Sequence, residues 1–533
     1  MPVTASSIPV VNQPDRPDTA SRPGDALVEQ SAVALRRLIG RKEISPVELL
    51  DACIDRIERI NPFVNAVTAT CFDRARTEAR AAEQAVVDGT APLGLLHGLP
   101  LGVKDLEPTE GLLTTWGSAI YRDHVPTQDI ELVARLRRAG AIVAGKTNVP
   151  ELGAGANSRN TVWGATGNPF NPNLNAGGSS GGSAAALACD LLPVCTGSDT
   201  GGSLRIPAAK CGVVGFRPSP GVVPSVRKPL GWTPISVVGP MGRTVEDACL
   251  QLAASAGMHA GDPLSYPLDA MGFLTPPEVD LGRLRVAYTE DFGTCAVDEG
   301  IRASFRAKIA AMRHLFRSCD EVKFDLGDTH RCFDVLRAEA FVAGMQAAYD
   351  RDPDSLGPNT RANYEMGKRM SLLDSAWAQA EQTRIIQATQ RTFADYDLIL
   401  SPTTPVSPFA WTQLYADTIN GEQQATYYRW LSLTYVVTLM THPALSLPCG
   451  VDHRGMPFGL QIVGGFRQDH QVLGASLALE RAFAARPELR RPRPDLAALR
   501  RAVPDLRSIV TMPPVLGEKG LGGQGAAASV SVV

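Results

Sequence analysis

The chain has 533 residues, of which 52 are Lys or Arg and 55 are Asp or Glu, so its formal net charge is −3. This near-neutral balance argues against a nucleic-acid-binding protein, because such proteins use clustered basic side chains that displace counterions from phosphates. With 44% hydrophobic residues over this length, the chain can bury a large core without disulfide support.

Cysteine usage and the amino terminus indicate the compartment. The ten cysteines form no Cys-x-x-Cys pair and no Cys/His cluster with zinc spacing, so we expect free buried thiols and no metal site. No apolar run approaches the roughly 18 residues of a membrane-spanning helix. The first residues, MPVTASSIPVVNQPDRPD, lack the basic start and apolar stretch of a signal peptide. These features predict a cytoplasmic protein with no membrane or nucleic-acid partner.

The first predicted helix follows a proline-rich arm. Residues 1–25 hold five prolines with little apolar periodicity, which predicts a mobile arm. The sequence SPVE at 45–48 has the pattern of a capping box with proline at the first helical position. Apolar residues then recur at helical spacing until Pro62, which predicts an amphipathic helix over 46–60.

Helical and strand patterns alternate in the rest of the chain. The predicted elements are, in chain order, a helix over 130–138, a strand over 141–144, an Ala-rich helix over 183–189, a strand over 191–195, helices over 303–316 and 371–394, and strands over 444–447 and 460–463. This alternation predicts an α/β protein whose sheet is covered by helices. We interpret residues 260–400, rich in helical and charged sequence, as the walls of a pocket on the same fold. Residues 486–533, first Arg/Pro-rich and then Gly/Ala-rich, are predicted to form a flexible tail.

The segment 175–207 is the most informative part of the sequence. It contains two Gly/Ser loops, GGSSGGS at 177–183 before a helix and TGGS at 200–203 after a strand. Glycines let a backbone approach a ligand closely, and successive N–H groups in such a loop can converge on an anion.

No GxxxxGK[ST] is present, which argues against a phosphate-binding P-loop. A G-x-S-x-G match is present, but a nucleophile elbow follows a buried strand, and here turn-forming residues precede it. Gly/Ser loops without chemistry stay open as an alternative.

A nucleophilic serine in these loops needs a base. Histidine is the usual base, but the residues around His97 and His442 do not mark either of them as catalytic. A lysine can replace histidine if desolvation lowers its pKa from about 10.4 toward 7–8. Lys104 follows the apolar run LLHGLPLGV and fits this requirement, although a lysine at such a position commonly extends its ammonium group into water. From the residues alone, both interpretations of Lys104 stay open.

Together these motifs resemble the amidase signature family. The resemblance rests on GGSSGGS and DTGGSLRIP, and it extends to GLPLGVKD around Lys104, AIVAGKTNVPE at 141–151, GNPFNP at 167–172 and GLQIVGG at 459–465. It covers most of the chain, and residues 26–485 are expected to form the amidase signature domain. The resemblance implies an α/β/α sandwich with a large mixed central sheet, no cofactor or metal, and often a homodimer.

The resemblance also implies roles for individual residues. Ser203 resembles the nucleophile, Ser179 the serine that follows a cis peptide bond, and Lys104 the base. Backbone N–H groups of the TGGS loop are implied to form an oxyanion hole, and further side chains to support the two loops. These residues are Thr200, Gly201, Gly202 and Ser203 for the oxyanion hole, and Ser180, Ser183, Asp199 and Arg205 for loop support, with Asp199 and Arg205 as an ion pair.

Two departures from the family pattern concern the substrate. Gly153 stands where members often place a larger residue such as Met, and we expect it to line the acyl side of the site. Many members read Asn-x-x-Gly-x-Pro-Ala near the carboxyl terminus, and we interpret Thr438 as replacing the Asn and His442 as replacing the Gly. His442 is predicted either to contact substrate or to fill space, and we favour the second.

Several functions stay open, and all but the last act on a small-molecule substrate. The favoured one is hydrolysis of linear, hydrophobic or aryl amides through a serine acyl-enzyme. The second is hydrolysis of carbamates, ureides or cyclic amides by the same three residues. The third is the glutamine-hydrolysing subunit of a tRNA-dependent amidotransferase, which needs a partner chain. A catalytically inactive interaction protein is disfavoured, because all three residues of the triad are present.

Overall fold

A mixed sheet of 11 strands forms the centre of the fold. The computed structural model describes residues 22, 24–90, 92–226, 228–501 and 504–515. The strands in these ranges are β1 (Val67–Thr70), β2 (Pro100–Lys104), β3 (Ile142–Thr147), β4 (Arg159–Asn160), β5 (Gly164–Ala165), β6 (Gly167–Asn168), β7 (Asn171–Asn175), β8 (Val194–Asp199), β9 (Val214–Arg217), β10 (Val237–Gly242), β11 (Arg285–Tyr288), β12 (Ser318–Glu321), β13 (Leu398–Pro402), β14 (Thr418–Ile419), β15 (Glu422–Gln423), β16 (Ala444–Val451) and β17 (Pro457–Gly464).

The strand order in the large sheet is β1-β3-β2-β8-β10-β9-β16-β17-β13-β11-β12. Strands β3, β2 and β8 pair in parallel, as do β13, β11 and β12. The strands between these two groups pair antiparallel, and so does β1 with β3. The predicted large mixed sheet is therefore confirmed.

Helices cover both faces of this sheet. They are α1 (Asp25–Val28), α2 (Ala32–Gly40), α3 (Pro46–Val64), α4 (Phe72–Asp88), α5 (Glu131–Arg138), α6 (Gly181–Ala188), α7 (Arg205–Cys211), α8 (Val245–Ser255), α9 (Glu299–Met312), α10 (Thr329–Arg351), α11 (Pro358–Lys368), α12 (Leu372–Asp395), α13 (Ser432–Met440) and α14 (Asp469–Ala484). Helices α6 and α7 contact each other, as do α8 and α14, and both pairs contact central strands of the sheet. The arrangement is the predicted α/β/α sandwich.

The ends of two predicted elements differ from the structure for identifiable reasons. The capping box at Ser45 is present, but the helix runs through Pro62 to Val64, because a proline so near the carboxyl end removes only one helical hydrogen bond. The strand predicted over 191–195 begins at Val194 instead. Asp190 has a φ of 55°, and the next residues complete a turn that closes α6 before the strand starts.

The topology brings three loop segments together at one edge of the sheet. Strands β2 and β8 are parallel neighbours, so their carboxyl ends, Lys104 and Asp199, lie side by side. The TGGS loop at 200–203 connects β8 to α7, and the GGSS loop at 177–180 precedes α6. Because α6 and α7 contact each other, both Gly/Ser loops are positioned beside Lys104.

The segment predicted as a flexible carboxyl-terminal tail is packed where the structure describes it. Leu489, Leu499 and Leu506 are buried, and the Ala165 N–H donates to the Leu506 carbonyl at 2.8 Å. The sequence prediction weighed the Arg/Pro composition and overlooked these spaced leucines. Residues 1–21 of the predicted arm and the Gly/Ala-rich residues 516–533 lie outside the described ranges. In the described part, no helix combines the length and apolar character needed to cross a membrane.

Candidate active site

Lys104 ends a buried strand with its ammonium group aimed at a serine. The side chain is fully buried, and its Nζ lies 2.8 Å from Ser179 Oγ and 2.9 Å from Ser198 Oγ. Its backbone N–H donates to Thr196 Oγ1 at 2.8 Å, which ties the end of β2 to β8. The alternative of a surface lysine is therefore wrong for Lys104.

Burial changes the charge state of this lysine. Desolvation lowers the pKa of Lys104 to about 7, and the nearby carboxylates of Glu107 and Asp199 oppose that shift. A lysine with such a pKa is about half deprotonated at neutral pH, so it has a lone pair available to accept a proton.

The loop before α6 presents Ser179 to Lys104. The Gly178–Ser179 peptide bond is cis, as the family resemblance implied. Only glycine fits at Gly177, which has a φ of 78°, and an added Cβ there would lie 2.9 Å from the Pro207 Cα. The Ser180 N–H donates to the Ser203 carbonyl at 3.3 Å and so joins the two Gly/Ser loops.

The loop after β8 carries Ser203 and free backbone donors. Ser203 lines the same cavity as Ser179. Among the described residues, the N–H groups of Thr200, Gly201 and Ser203 have no hydrogen-bond acceptor. The Gly202 N–H, in contrast, donates to Asp199 Oδ1 at 2.9 Å. The predicted oxyanion hole of four N–H groups is therefore corrected to three free donors, because the carboxylate at the start of the loop takes the fourth.

An ion-pair cluster fixes this loop. Asp199 and Arg205 are fully buried and form the predicted ion pair, with Arg205 Nη2 donating to Asp199 Oδ1 at 2.9 Å and Nε to Oδ2 at 3.0 Å. Arg217, which the sequence analysis missed, donates to the same carboxylate at 3.2 Å. These two guanidinium groups hold the pKa of Asp199 far below its usual range, although burial opposes them. Asp199 is therefore a permanent anion that receives the Gly202 and Leu204 N–H groups.

Further buried hydroxyl groups link the loops to the sheet. Ser183 Oγ lies 2.7 Å from Thr147 Oγ1 and donates to the Thr196 carbonyl at 2.8 Å. Thr196 Oγ1 in turn donates to the buried carboxylate of Glu107. Burial raises the pKa of Glu107. The sequence analysis included Ser183 but missed Thr196 and Glu107, because a threonine inside a strand and an acidic residue in a loop carry no signal of their own.

A narrow cavity of about 20 Å³ adjoins Ser179 and Ser203, enough for one water-sized group. Its lining residues are Leu106, Leu152, Gly153, Ser179, Ser198, Thr200, Ser203, Arg337 and Phe341. Gly153 has a φ of 72°, and an added Cβ would lie 3.7 Å from Ser179 Oγ and only 3.0 Å from Leu106 Cδ1, so a side chain there would crowd Leu106 beside Ser179. Arg337 and Phe341 come from α10, within the 260–400 region, and no local motif singled them out.

His442 does not line this cavity. It is fully buried, stacks on the Phe393 ring with centroids 5.2 Å apart, and has Nε2 2.9 Å from the Gln390 amide nitrogen. Burial lowers the pKa of His442 to about 4, so the ring is neutral. These contacts favour the space-filling interpretation of His442 over a substrate contact. The glycine of the family pattern is also replaced by Thr441, not by His442, and Thr441 has the φ of 59° that glycine favours.

Comparisons with known proteins agree with this geometry. The family model described as Amidase matches residues 48–473. A glutamyl-tRNA(Gln) amidotransferase subunit of Acaryochloris marina is 33% identical over 480 residues, which cover 85% of this chain and 98% of that protein. An acylamidase of Rhodococcus erythropolis is 32% identical over 464 residues, which cover 86% of this chain and 95% of that protein.

A solved structure extends the likeness to the fold. A bacterial aryl acylamidase of the amidase signature family superposes with a TM-score of 0.80 at 30% identity, covering 86% of this chain and 96% of its own. The family match spans the strands and loops that carry Lys104, Ser179 and Ser203. The chain therefore belongs to the amidase signature family and is a hydrolase of amide carbon–nitrogen bonds.

Proposed function

We propose that this enzyme hydrolyses linear amides with hydrophobic or aryl groups through an acyl-enzyme on Ser203, with Lys104 as the base and Ser179 as the relay between them. One observation carries the proposal. A fully buried lysine, with its pKa lowered to about 7, lies 2.8 Å from the hydroxyl group of a serine that shares a cavity with Ser203.

In the first half-reaction, neutral Lys104 accepts the proton of Ser179 while Ser179 accepts the proton of Ser203. Ser203 Oγ forms a bond to the amide carbonyl carbon, and the carbonyl oxygen becomes an anion. The free N–H groups of Thr200, Gly201 and Ser203 stabilise that charge, and each such donor contributes about 3–4 kcal/mol in comparable sites.

Collapse of the tetrahedral intermediate breaks the C–N bond. Ser179 returns a proton to the leaving nitrogen, because an unprotonated amide anion is too basic to depart. Water then attacks the acyl-enzyme by the same relay, and the acid product leaves with Ser203 regenerated. The balance needs only water and substrate: the proton taken from Ser203 leaves on the amine, and a proton of the attacking water restores Ser203 through the same relay.

Apolar lining residues support a hydrophobic acyl group. Leu106, Leu152 and Phe341 form the apolar part of the cavity lining, in contrast to the hydroxyl-bearing residues Ser179, Ser198, Thr200 and Ser203. The names of the similar acylamidase and aryl acylamidase support the same preference. A cytoplasmic location and a homodimer remain predictions. Hydrolysis of carbamates, ureides or cyclic amides by the same residues stays open as an alternative substrate class.

A second candidate function is that of the glutamine-hydrolysing chain of a glutamyl-tRNA(Gln) amidotransferase. The observation that favours it is the 33% identity to one chain of such an enzyme over nearly its whole length. Under this function the enzyme hydrolyses glutamine and passes ammonia to a partner chain.

A substrate panel separates these functions. Amine and ammonia release are measured from an anilide, a long-chain primary amide, an aryl carbamate and glutamine, with wild type, Ser203→Ala and Lys104→Ala side by side. We expect turnover of the anilide that both substitutions abolish, with circular dichroism showing that each variant folds. Turnover of glutamine alone, or co-purification of a second chain, moves the assignment to the amidotransferase. Equal activity in wild type and Ser203→Ala contradicts the mechanism.

A further inference from the structure

One charged side chain on the wall of the cavity has no part in the proposed reaction. Arg337, on α10, lines the cavity together with Ser179 and Ser203, and only 7% of its surface is exposed. Burying a guanidinium group is unfavourable unless an anion or strong acceptors compensate for the lost water. The groups that contact Arg337 therefore show whether its buried charge is already compensated.

Its fixed partners in the described part of the chain are neutral. Nε donates to Asn363 Oδ1 at 3.3 Å and Nη2 to the Tyr427 hydroxyl group at 2.7 Å, whereas Nη1 donates to none of the described residues. Asp334, one helical turn earlier, is already occupied, because it pairs with Arg429 at 2.8 Å and accepts from the Tyr428 hydroxyl group. Arg337 thus forms no ion pair with any described residue.

Aromatic rings hold the guanidinium group in place. Its central carbon lies 4.9 Å from the Phe341 ring centre, 5.2 Å from that of Tyr428 and 5.8 Å from that of Tyr427. Such cation–π contacts orient the planar group and offset part of its desolvation, but they leave its net charge uncompensated. The buried arginines behind the catalytic loop differ, since Arg205 and Arg217 share the carboxylate of Asp199.

We propose that Arg337 binds a carboxylate group on the acyl part of the substrate, so that half-amides of dicarboxylic acids are preferred over neutral amides of the same length. A guanidinium group pairs with a carboxylate through charge-assisted hydrogen bonds, and Arg337, which lines the cavity, has Nη1 donors that no described residue accepts. This inference rests on the proposed amidase function and narrows its substrate class to amides whose acyl part carries a carboxylate.

The test compares two anilides of equal acyl length, the monoanilide of glutaric acid and the anilide of pentanoic acid. The monoanilides of malonic and succinic acid are also measured, because they place the carboxylate closer to the amide. We expect wild type to favour the best acidic anilide by at least about tenfold in kcat/KM, because hydrogen bonds to charged groups are worth about that factor or more. Arg337→Met should lower kcat/KM for the acidic anilide about 10- to 100-fold more than for the neutral one, mainly through KM.

Controls keep the result specific to the charge. Arg331→Met removes an exposed arginine from the same helix and should change neither substrate. Arg337→Lys keeps the positive charge but loses the planar guanidinium group, so it should retain part of the preference for the acidic anilide. It is used in place of Arg337→Met if that variant does not fold. Equal losses on both anilides in Arg337→Met, or no acidic preference in wild type, would overturn the inference while leaving the amidase function intact.

Binding of glutarate itself gives a readout that needs no turnover. Calorimetry on Ser203→Ala should detect glutarate, and adding Arg337→Met should weaken its affinity at least about tenfold. Equal affinities in the two proteins, or no binding by either, would contradict the inference even if no anilide is hydrolysed. Absence of turnover on every amide, in contrast, would count against the proposed function.

Discussion

Two buried lysines of this protein have similar proton affinities and different surroundings. Burial lowers the pKa of both Lys104 and Lys210 to about 7. Lys104 Nζ contacts two serine hydroxyl groups beside a cavity. Lys210 Nζ instead donates to Asn175 Oδ1 at 3.1 Å and lies over the rings of Phe409 and Trp430, 4.4 and 4.8 Å from their centres.

The comparison shows that a lowered lysine pKa does not by itself identify a catalytic base. Desolvation lowers the pKa of each lysine, but only Lys104 has a hydroxyl group within reach that leads to a nucleophile. Lys210 has an amide oxygen, which has no proton to give, and two aromatic faces. A base needs both a lone pair at neutral pH and a proton donor at hydrogen-bond distance.

The largest expected effect separates the two lysines by activity. Lys104→Met removes the base, so kcat/KM for the anilide should fall about 10²- to 10⁴-fold. Lys210→Met makes a similar change in volume and charge on α7, away from the cavity, and should change kcat/KM less than about tenfold. Steady-state kinetics on both variants checks this. A loss in Lys210→Met equal to that in Lys104→Met would remove the distinction.

The next effect concerns Asp199, the fully buried carboxylate near Lys104. Asp199→Asn leaves Arg205 and Arg217 buried without their shared carboxylate, so the free energy of unfolding should fall by about 3–5 kcal/mol. Urea denaturation measures the change.

The matched control for that change is Asp397→Asn, which breaks the partly exposed ion pair with Arg285. Because solvent screens that pair, the loss there should be about 1 kcal/mol or less. Similar losses in the two variants would show that the Asp199 cluster contributes no more than a surface ion pair.

The last effect, which grows by a small amount with each pH unit, appears as a pH dependence of stability. A lysine whose pKa is about 7 when folded and about 10.4 when unfolded binds fewer protons in the folded state, so stability increases as pH rises from about 7 to 10. Wild type should gain up to about 1.4 kcal/mol per pH unit relative to Lys210→Met over that window. Urea denaturation at several pH values tests this; a constant difference would mean that Lys210 is charged in the folded protein.

Much of the site was predictable because its residues lie in contiguous motifs. The two Gly/Ser loops and the GVKD segment can each be recognised from a short run of residues. The parallel pairing of β2 and β8 then brings these segments together. The alternation of elements predicted a sheet covered by helices, and the family resemblance implied that this sheet is large and mixed. These features depend on short-range sequence and on rules of connection.

The parts that the sequence could not predict depend on distant contacts. The sequence analysis predicted no helix at α10, and nothing local shows that Arg337 and Phe341 of that helix line the cavity. Gly202 looks like its neighbours in the loop, and only the position of Asp199 shows that its N–H is already used. His442 sits beside a motif, yet its neighbours come from α12.

The measurement that tests the central claim most directly is the pH dependence of kcat/KM in wild type and in the two lysine variants. If Lys104 is the base, kcat/KM of wild type rises with an apparent pKa near 7, where Lys104 loses its proton. Lys210→Met should keep that inflection, and the residual activity of Lys104→Met should lack it. An inflection that persists in Lys104→Met, or that disappears in Lys210→Met, would contradict the assignment of Lys104 as the base.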